Sequence, residues 1–487
     1  MTEIATATYQ NYIGGEWVPS SSGETYASIN PARTSEVLGY FQKSNQTDVK
    51  EAILSAREAF PEWAATPAPV RGDVLFNLIR LLEDRFEELA VLITKEVGKS
   101  YRDAKGEVTK TIQAMKQFSG EANRLTGETV PSYDADIFGY TVREPLGVVG
   151  LIAPYNFPLG IGIWKIAPAI IAGNTVVFKP ASNTSLISVK IMEMLEAAGV
   201  PAGVVNMVTG PGSVVGKEFG ENPEIKAVSF TGSTQVGTEL GKAVTQRGGR
   251  MQAEMGGKNP TIVLEDADME HAVESIVISG FHDNGQRCTG TSRLILLRSI
   301  ADEFIARLIE KAEALEVGDG FDPGVDNGPV VDENQLNTYL HYVESAIEEG
   351  ATLKFGGERL TDEGRGEGYF VAPTIFTNIT PEMTIFHEEV FGPVVAVTVV
   401  DTYEEAIELA NQSDFGLSSS IFTKSLDKAL TFTKQIQSGV THVNVPSNYF
   451  ENQFPFGGKK NSSIGPREQG STALDFWTET KTVYMKP

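Results

Sequence analysis

Leu146-Gly147-Val148-Val149-Gly150-Leu151-Ile152-Ala153 is an unbroken apolar run. A run with no polar alternation fits a strand buried on both faces. Working outward from it, 163–172 reads as a helix, Thr175-Val176-Val177-Phe178 as a strand and 185–198 as a helix. Then 204–208 is a strand, 214–220 a short helix, 227–230 a strand and 236–246 a helix. Strand and helix alternate with short connections, which predicts a parallel, doubly wound α/β sheet. Ligands of such sheets sit at the carboxyl ends of the strands.

Upstream, 49–125 reads as helical. Leu75, Leu78, Ile79, Leu82, Phe86, Leu89 and Ile93 recur at three- and four-residue steps and mark one apolar face. Residues 127–142 alternate in character and suit a protruding hairpin, with Tyr133-Asp134-Ala135-Asp136 as its turn. After Glu254 a second alternating series begins. Strands are expected at 261–264, 292–297, 394–400 and 418–422, and helices at 301–314, 335–350 and 404–412. This is a second α/β domain. The stretch 480–485 reads as a last strand, and no internal repeat is visible.

The chain has 487 residues, 41% apolar and 21% charged, ordinary globular values that allow two to four domains. Its charge is less ordinary: 64 Asp and Glu stand against 40 Lys and Arg, a net of −24. Such a surface repels phosphate backbones and anionic membranes, which argues against nucleic-acid or membrane partners. It fits either an acidic cytosolic enzyme or one adapted to salt. The excess of lysines over arginines gives no support to extreme halophily. A melting temperature that fails to rise with salt removes that reading. A single cysteine excludes a disulfide framework within the chain. The start, Met1-Thr2-Glu3-Ile4, lacks a basic patch followed by an apolar run, and no stretch reaches about 18 uninterrupted apolar residues. A cytoplasmic protein is expected.

That cysteine, Cys288, stands in Gly285-Gln286-Arg287-Cys288-Thr289. A lone cysteine is ordinarily a buried structural thiol. Here the flanks are polar, and the Arg287 cation next door is expected to favour the thiolate, the form that attacks. Glu254 lies in Gln252-Ala253-Glu254-Met255-Gly256-Gly257-Lys258-Asn259, between two methionines and beside a Gly pair. A partly desolvated carboxyl there has a raised pKa and suits a general base. The bland alternative is a solvated surface charge. Asn156, in Ala153-Pro154-Tyr155-Asn156-Phe157-Pro158, is either a turn residue or an amide donor aimed at a developing oxyanion. Lys179 ends a strand, where it is placed to meet a ribose or phosphate. Phe230-Thr231-Gly232-Ser233-Thr234-Gln235-Val236-Gly237 runs strand, Gly turn, helix, and the free N–H groups at such a helix start favour a pyrophosphate. Alone this is a weak signal, because it is not the G-x-G-x-x-G pattern. The five histidines are scattered, so no metal site is expected.

Together these motifs resemble the aldehyde dehydrogenase superfamily, in order and over essentially the whole chain. The resemblance starts at Tyr12-Ile13-Gly14-Gly15-Glu16-Trp17 and Asn30-Pro31-Ala32 and passes through Pro154-Tyr155-Asn156-Phe157-Pro158, Phe178-Lys179-Pro180-Ala181 and Phe230-Thr231-Gly232-Ser233. It continues through Glu254-Met255-Gly256-Gly257-Lys258-Asn259, Gly285-Gln286-Arg287-Cys288 and Glu388-Glu389-Val390-Phe391-Gly392-Pro393, and ends at Pro455-Phe456-Gly457-Gly458. It implies a Rossmann-like cofactor domain (1–122 and 146–254), a catalytic domain (255–455) and a small bridging β-hairpin that joins subunits (123–145 and 471–487) into a homodimer or homotetramer. It implies Cys288 as nucleophile and Glu254 as the base that deacylates the enzyme. Asn156 and the Cys288 N–H would form the oxyanion hole. It further implies Lys179 and Glu389 on the ribose hydroxyls, Phe391 against the nicotinamide ribose, and Ser233, with Gly232 and Gly237, at the pyrophosphate.

The cofactor is expected to be NADP or NAD. NAD-preferring relatives commonly carry an acidic residue three positions after the motif lysine; here Ser182 stands there, so NADP is favoured. Ile163-Trp164-Lys165 and Pro466-Arg467-Glu468-Gln469-Gly470 are similar to the 2-oxoglutarate semialdehyde (2,5-dioxopentanoate) dehydrogenase branch. Many succinate-semialdehyde enzymes have an Arg where Trp164 stands, which leaves Arg287 as the candidate for a distal carboxylate, or as half of a structural pair. Tyr155 replaces the usual Trp of its motif and adds a polar contact. Succinate, glutarate and betaine aldehydes remain alternatives. So do a CoA-acylating enzyme, against which Glu254 argues, and a catalytically silent binding relative, against which Cys288 and Glu254 argue.

Overall fold

The computed structural model describes residues 6–487. The opening Met1-Thr2-Glu3-Ile4, read above for a signal, lies outside them. The apolar run is a strand, Val148–Ile152, buried at every position. It lies within a sheet of eight strands ordered Glu16–Val18, Asn11–Ile13, Val205–Met207, Thr175–Lys179, Val148–Ile152, Ile225–Thr231, Arg250–Glu254, Ser463–Ile464. The five from Val205–Met207 to Arg250–Glu254 are parallel. Each of the three outer strands pairs antiparallel with its inner neighbour.

Strand side chains alternate between faces, and the two layers of helices follow that alternation. Val149, Leu151, Val176 and Phe178 pack with the helices Pro158–Ile171 and Ser185–Ala197. Val148, Ile152, Val177 and Val228 pack with Gln46–Ala65, Gly212–Glu221 and Thr234–Gln246. This is the doubly wound arrangement that the pattern predicts.

The second series forms a seven-stranded sheet ordered Thr352–Phe355, Thr374–Thr377, Val394–Val400, Thr291–Leu297, Asn259–Val263, Ser418–Phe422, Val440–Val443. Only Thr352–Phe355 is antiparallel to its neighbour. The hairpin strands Thr129–Val130 and Phe138–Pro145 join the last strand, Thr478–Met485, in a separate antiparallel sheet.

The helical stretch 49–125 is four helices, not one: Gln46–Ala65, Ala68–Asp84, Phe86–Val97 and Tyr101–Glu121. The periodic apolar face therefore crosses a break at Arg85. Pro67 precedes the second helix and restricts the residue before it. Gly98 ends the third in the left-handed region (φ +89°), where a Cβ would lie 2.7 Å from Pro329. The helix expected from 163 begins at Pro158, whose ring presets the first-turn φ. The hairpin Thr25–Asn30 and Arg33–Gln42 escaped the sequence reading, because its residues are mostly polar and half-buried. Among the described residues no helix is long and apolar enough to cross a membrane.

Candidate active site

The chain leaves the first sheet at Glu254 and enters the second at Asn259. Met255-Gly256-Gly257-Lys258 spans the step, and both glycines are sterically required. A Cβ on Gly256 would lie 2.2 Å from Glu389 Oε2, and one on Gly257 would lie 2.7 Å from the Cys288 carbonyl oxygen. The Gly257 N–H donates to Glu389 Oε1 at 2.9 Å. Asn259 Nδ2 donates to the Cys288 carbonyl at 2.7 Å and to that of Gly290 at 2.9 Å. The five residues from Met255 to Asn259 thus fix the thiol segment and the Glu389 carboxylate together.

Cys288 follows the helix Met269–Gly280 and a tight turn. Asp283, Asn284 and Gly285 are all left-handed, with φ of 52°, 54° and 62°. Such conformations are unfavourable for non-glycine residues unless their surroundings hold them. Asn284 Nδ2 donates to the carbonyls of Gly328 and Pro329, at 2.7 Å each. Asp283 accepts from Arg287 one helical turn later. A Cβ on Gly285 would collide with the Gly392 carbonyl at 2.1 Å.

Glu254, Arg287, Cys288 and Trp164 line one cavity of about 480 Å³. Its walls include Phe157, Gly160, Ile161 and Trp164 from one face of Pro158–Ile171, with Phe450 and Phe456 opposite. Glu254 Oε2 accepts from Ser463 Oγ at 2.6 Å. Its Oε1 has no partner and sits where a side chain on Gly457 would go. Burial, and then the neighbouring Glu468, push the Glu254 carboxyl well above the usual range. Behind it, Lys165 and Glu468 form a buried ion pair that also engages Ser229.

Asn156 Nδ2 donates to the Gln286 carbonyl at 2.8 Å. An amide carries two N–H donors, so one is not used in this bond. The backbone carbonyl of Asn156 accepts from Lys99 Nζ at 2.7 Å, and Lys99 pairs with Glu107 at 2.9 Å. Glu107 Oε1 takes the first-turn N–H groups of Leu159 and Gly160, at 3.0 and 3.1 Å. Lys99, Glu107 and Asp283 escaped the sequence reading, and Lys165 and Glu468 entered it only as parts of the two motifs similar to the 2-oxoglutarate semialdehyde branch. Only the four-residue spacing of Asp283 and Arg287 offered a signal.

Two expectations are corrected. The Arg287 cation does not bring the thiol below its usual range. Burial, and then Glu389 and Glu254, push Cys288 up to about 12, while the Arg287 charge is paired with Asp283. Tyr155 does not line the substrate-sized cavity. Its hydroxyl reaches Gln286 at 3.4 Å and its ring meets Phe391 edge-on.

The remaining residues lie along the carboxyl ends of the first sheet, except Glu389 and Phe391, which precede the strand Val394–Val400 of the second. Ser182 lines a separate cavity of about 390 Å³ with Tyr26, Lys43, Gly210, Pro211 and Asp332. Lys179 is buried at its strand end, donates to the Pro180 carbonyl at 2.6 Å and is lowered to about 8 by burial. Ser233 caps the helix Thr234–Gln246. A Cβ on Gly237 would meet Met255 Sδ at 2.5 Å, and one on Gly232 the Phe230 ring at 2.6 Å. Phe391 sits at φ 53° beside Glu389. A cavity of mixed lining that carries Lys43, Ser182 and Asp332, with a capped helix start on the same sheet, fits a dinucleotide, whereas the apolar cavity with its thiol fits a small aldehyde.

A family model described as the aldehyde dehydrogenase family matches residues 17–483. The chain belongs to the aldehyde dehydrogenase family. It is 46% identical to the alpha-ketoglutaric semialdehyde dehydrogenase of Bacillus subtilis, covering 99% of this chain and 98% of the relative. It is 44% identical to the 2,5-dioxopentanoate dehydrogenase of Saccharolobus solfataricus, covering 98% and 99%. The solved structure of Staphylococcus aureus betaine aldehyde dehydrogenase in complex with NAD+ superposes with a TM-score of 0.95 at 36% identity, over 98% of this chain and 95% of that one. The resemblance drawn from the ordered motifs is borne out, as is the aldehyde dehydrogenase fold. The chain is an NAD(P)-dependent oxidoreductase acting on small aldehydes.

Proposed function

We propose that this aldehyde dehydrogenase oxidises 2,5-dioxopentanoate, the semialdehyde of 2-oxoglutarate, to the dicarboxylate, with NADP+ favoured over NAD+. The observation that carries the reading is the single cavity shared by Cys288, Glu254 and Arg287, in a chain whose near relatives are named for that substrate. The hydroxyl of Ser182 in place of an acid supports NADP, since that position itself carries no charge to repel a 2′-phosphate, and Lys43 shares the cavity with Asp332.

In this reading Cys288 rests as a thiol, because burial and the surrounding carboxylates oppose its charge. The proton leaves to water as Sγ adds to the aldehyde carbon. Asn156 Nδ2 steadies the resulting oxyanion with its free N–H. The nicotinamide dinucleotide supplies the hydride acceptor, and a thioester on Cys288 remains. Glu254, once ionised, takes a proton from a water whose oxygen adds to the acyl carbon; the C–S bond breaks, the acid leaves and the proton returns to Sγ. Lys179, Ser182, Gly232, Ser233, Gly237, Glu389 and Phe391 hold the dinucleotide. Arg287 and Trp164 border the aldehyde. The carboxylate end of the substrate faces a cation, with Arg287 the one beside the thiol.

We also propose that 1–122 with 146–254 acts as the cofactor domain and 255–455 as the catalytic domain. The hairpin sheet of 123–145 with 471–487 joins subunits. Val130, Phe138, Tyr484 and Met485 are exposed on it, as an interface in a dimer or tetramer requires.

The test is the initial rate of NADPH and NADH formation with 2,5-dioxopentanoate, succinate semialdehyde, betaine aldehyde and propanal, with Cys288→Ala as blank. Preference for 2,5-dioxopentanoate with NADP+ supports the reading. Equal rates with neutral aldehydes remove the anionic substrate.

A further inference from the structure

The charges that line the aldehyde cavity are Asp103, Glu107, Lys110, Glu254, Arg287 and Glu468. Nearly all are balanced at close range. Glu107 pairs with Lys99, Glu468 with Lys165, Arg287 with Asp283 and Asp103 with Arg102. Glu254 is held towards its neutral, protonated form. Lys110 stands apart. Its neighbours along the helix Tyr101–Glu121 are paired, Lys105 with Glu87 and Lys116 with Glu83. Lys110 has no carboxylate within 4 Å among the described residues. Glu451, which lines the adjoining hollow with it, accepts from Tyr449 and Gln453.

The position of Lys110 is as telling as its charge. Its Nζ donates to the Phe450 carbonyl at 3.3 Å and lies 5.4 Å from the Phe450 ring centroid. One ammonium proton is thereby engaged and two are left. Holding the chain against the aromatic wall reduces the freedom lost when a ligand binds. Lys110 also lines an adjoining polar hollow with Gln113, Lys116, Gln117, Glu451, Asn452 and Gln453. It therefore stands where the apolar cavity meets solvent-facing polar surface. In a chain of net charge −24, an anionic substrate meets net long-range repulsion.

We infer that Lys110 is a specificity-determining residue: it draws carboxylate-bearing aldehydes to the cavity and holds the carboxylate end at the entrance while the aldehyde reaches Cys288. Arg287, already paired with Asp283, contributes beside the thiol. This rests on the anionic-substrate reading above and adds a second residue to it. An uncompensated point charge at an entrance acts on capture and ground-state holding, so its loss falls mainly on KM.

The experiment compares kcat and KM of wild type, Lys110→Met, Lys110→Arg and Lys110→Glu for 2,5-dioxopentanoate, 5-oxopentanoate and pentanal, at low and high salt. The expected result is that Lys110→Met lowers the kcat/KM preference for the two anions over pentanal by roughly 10- to 100-fold, chiefly through KM. Lys110→Arg retains the preference, Lys110→Glu lowers it further, and salt weakens it in wild type more than in Lys110→Met. A Lys110→Met enzyme that keeps the wild-type preference overturns the role of Lys110 alone. Wild type without any preference for the anions overturns the substrate reading, and this inference with it. An equal fall for all three substrates makes Lys110 merely structural.

Discussion

The guanidinium of Arg287 is held by the carboxylate of Asp283, one helical turn before it and 3% exposed. Adjacent in sequence to the thiol, Arg287 is electrostatically committed elsewhere. Asp283 sits at φ 52°, a region that asparagine adopts readily. Asp283→Asn therefore keeps the turn and releases the cation. A positive charge freed beside Cys288 favours the thiolate, so the thiol pKa falls. Rates of iodoacetamide alkylation against pH should shift to lower pH in this variant. An unshifted curve would show that Arg287 stays neutralised by other acids.

Glu389 is the largest charge opposing the thiolate, and burial raises its own carboxyl to about 7. As pH climbs past 7 it ionises and resists loss of the Cys288 proton. Wild-type alkylation should therefore stay slow through pH 9 and still be rising above it. Glu389→Gln removes the opposing charge, and its curve should lie at lower pH. Because the chain holds one cysteine, the label reports this thiol alone. Coincident curves would assign the high pKa to burial only.

Glu254 has a free oxygen facing the cavity wall at Gly457 and a carboxyl raised by burial. A base works only when ionised, so a raised pKa confines its action to the alkaline side, where turnover should grow with pH. Glu254→Gln keeps the Ser463 contact but cannot accept a proton. It should give a burst of NAD(P)H of about one equivalent per site followed by a slow phase, the mark of a thioester that accumulates. A linear trace at the wild-type rate would remove Glu254 from deacylation.

How far these groups were legible in the sequence follows from the range of the forces involved. The buried strand at 146–153 and the helices after it announce themselves because burial imposes a local period. Cys288, Glu254 and Asn156 were legible as parts of ordered motifs. The charge states were not. Whether Arg287 tunes the thiol depends on Asp283, which a left-handed turn folds back onto it, and Glu468 reaches Glu254 from more than two hundred positions away. Lys99 and Glu107 look like surface charges on a polar helix until the fold places Asn156 and the start of Pro158–Ile171 against them. The break at Arg85 was hidden for a related reason, since two packed helices continued one apolar period.

Ser182 shares its cavity with Lys43 and Asp332, so a cation and an anion compete for whatever the dinucleotide ribose carries. Lys43 is itself paired with the exposed Glu24 at 2.8 Å. Ser182→Glu places a carboxylate where a 2′-phosphate would sit. The KM for NADP+ should rise by about tenfold or more, as loss of one charge-assisted contact implies, and that for NAD+ should change little. Measuring both values in both proteins decides the matter. Equal changes would place the 2′-phosphate away from Ser182.

Lys99 joins the thiol loop, the oxyanion amide and the helix Pro158–Ile171. Its ammonium lies 2.9 Å from Glu107, with side-chain exposures of 2% and 1%, and sits 3.8 Å from the Phe157 ring centroid. Removing one partner of such a pair strands a charge out of water. Lys99→Met should cost about 3–5 kcal/mol in unfolding free energy. Burial already raises the Glu107 carboxyl, and Lys99 is the first group that lowers it. Without Lys99 the folded-state pKa climbs further above the unfolded one. The loss is then smallest at acid pH, where Glu107 is neutral in both states, and grows as pH rises through the folded value. Urea unfolding at several pH values measures this. The double variant Lys99→Met/Glu107→Leu leaves no stranded charge and should recover most of the stability, yet its kcat should stay low. The Asn156 carbonyl and the first-turn N–H groups of Leu159 and Gly160 lose their partners in it. A double variant as unstable as the single one would mean that packing, not charge, is what Lys99 contributes.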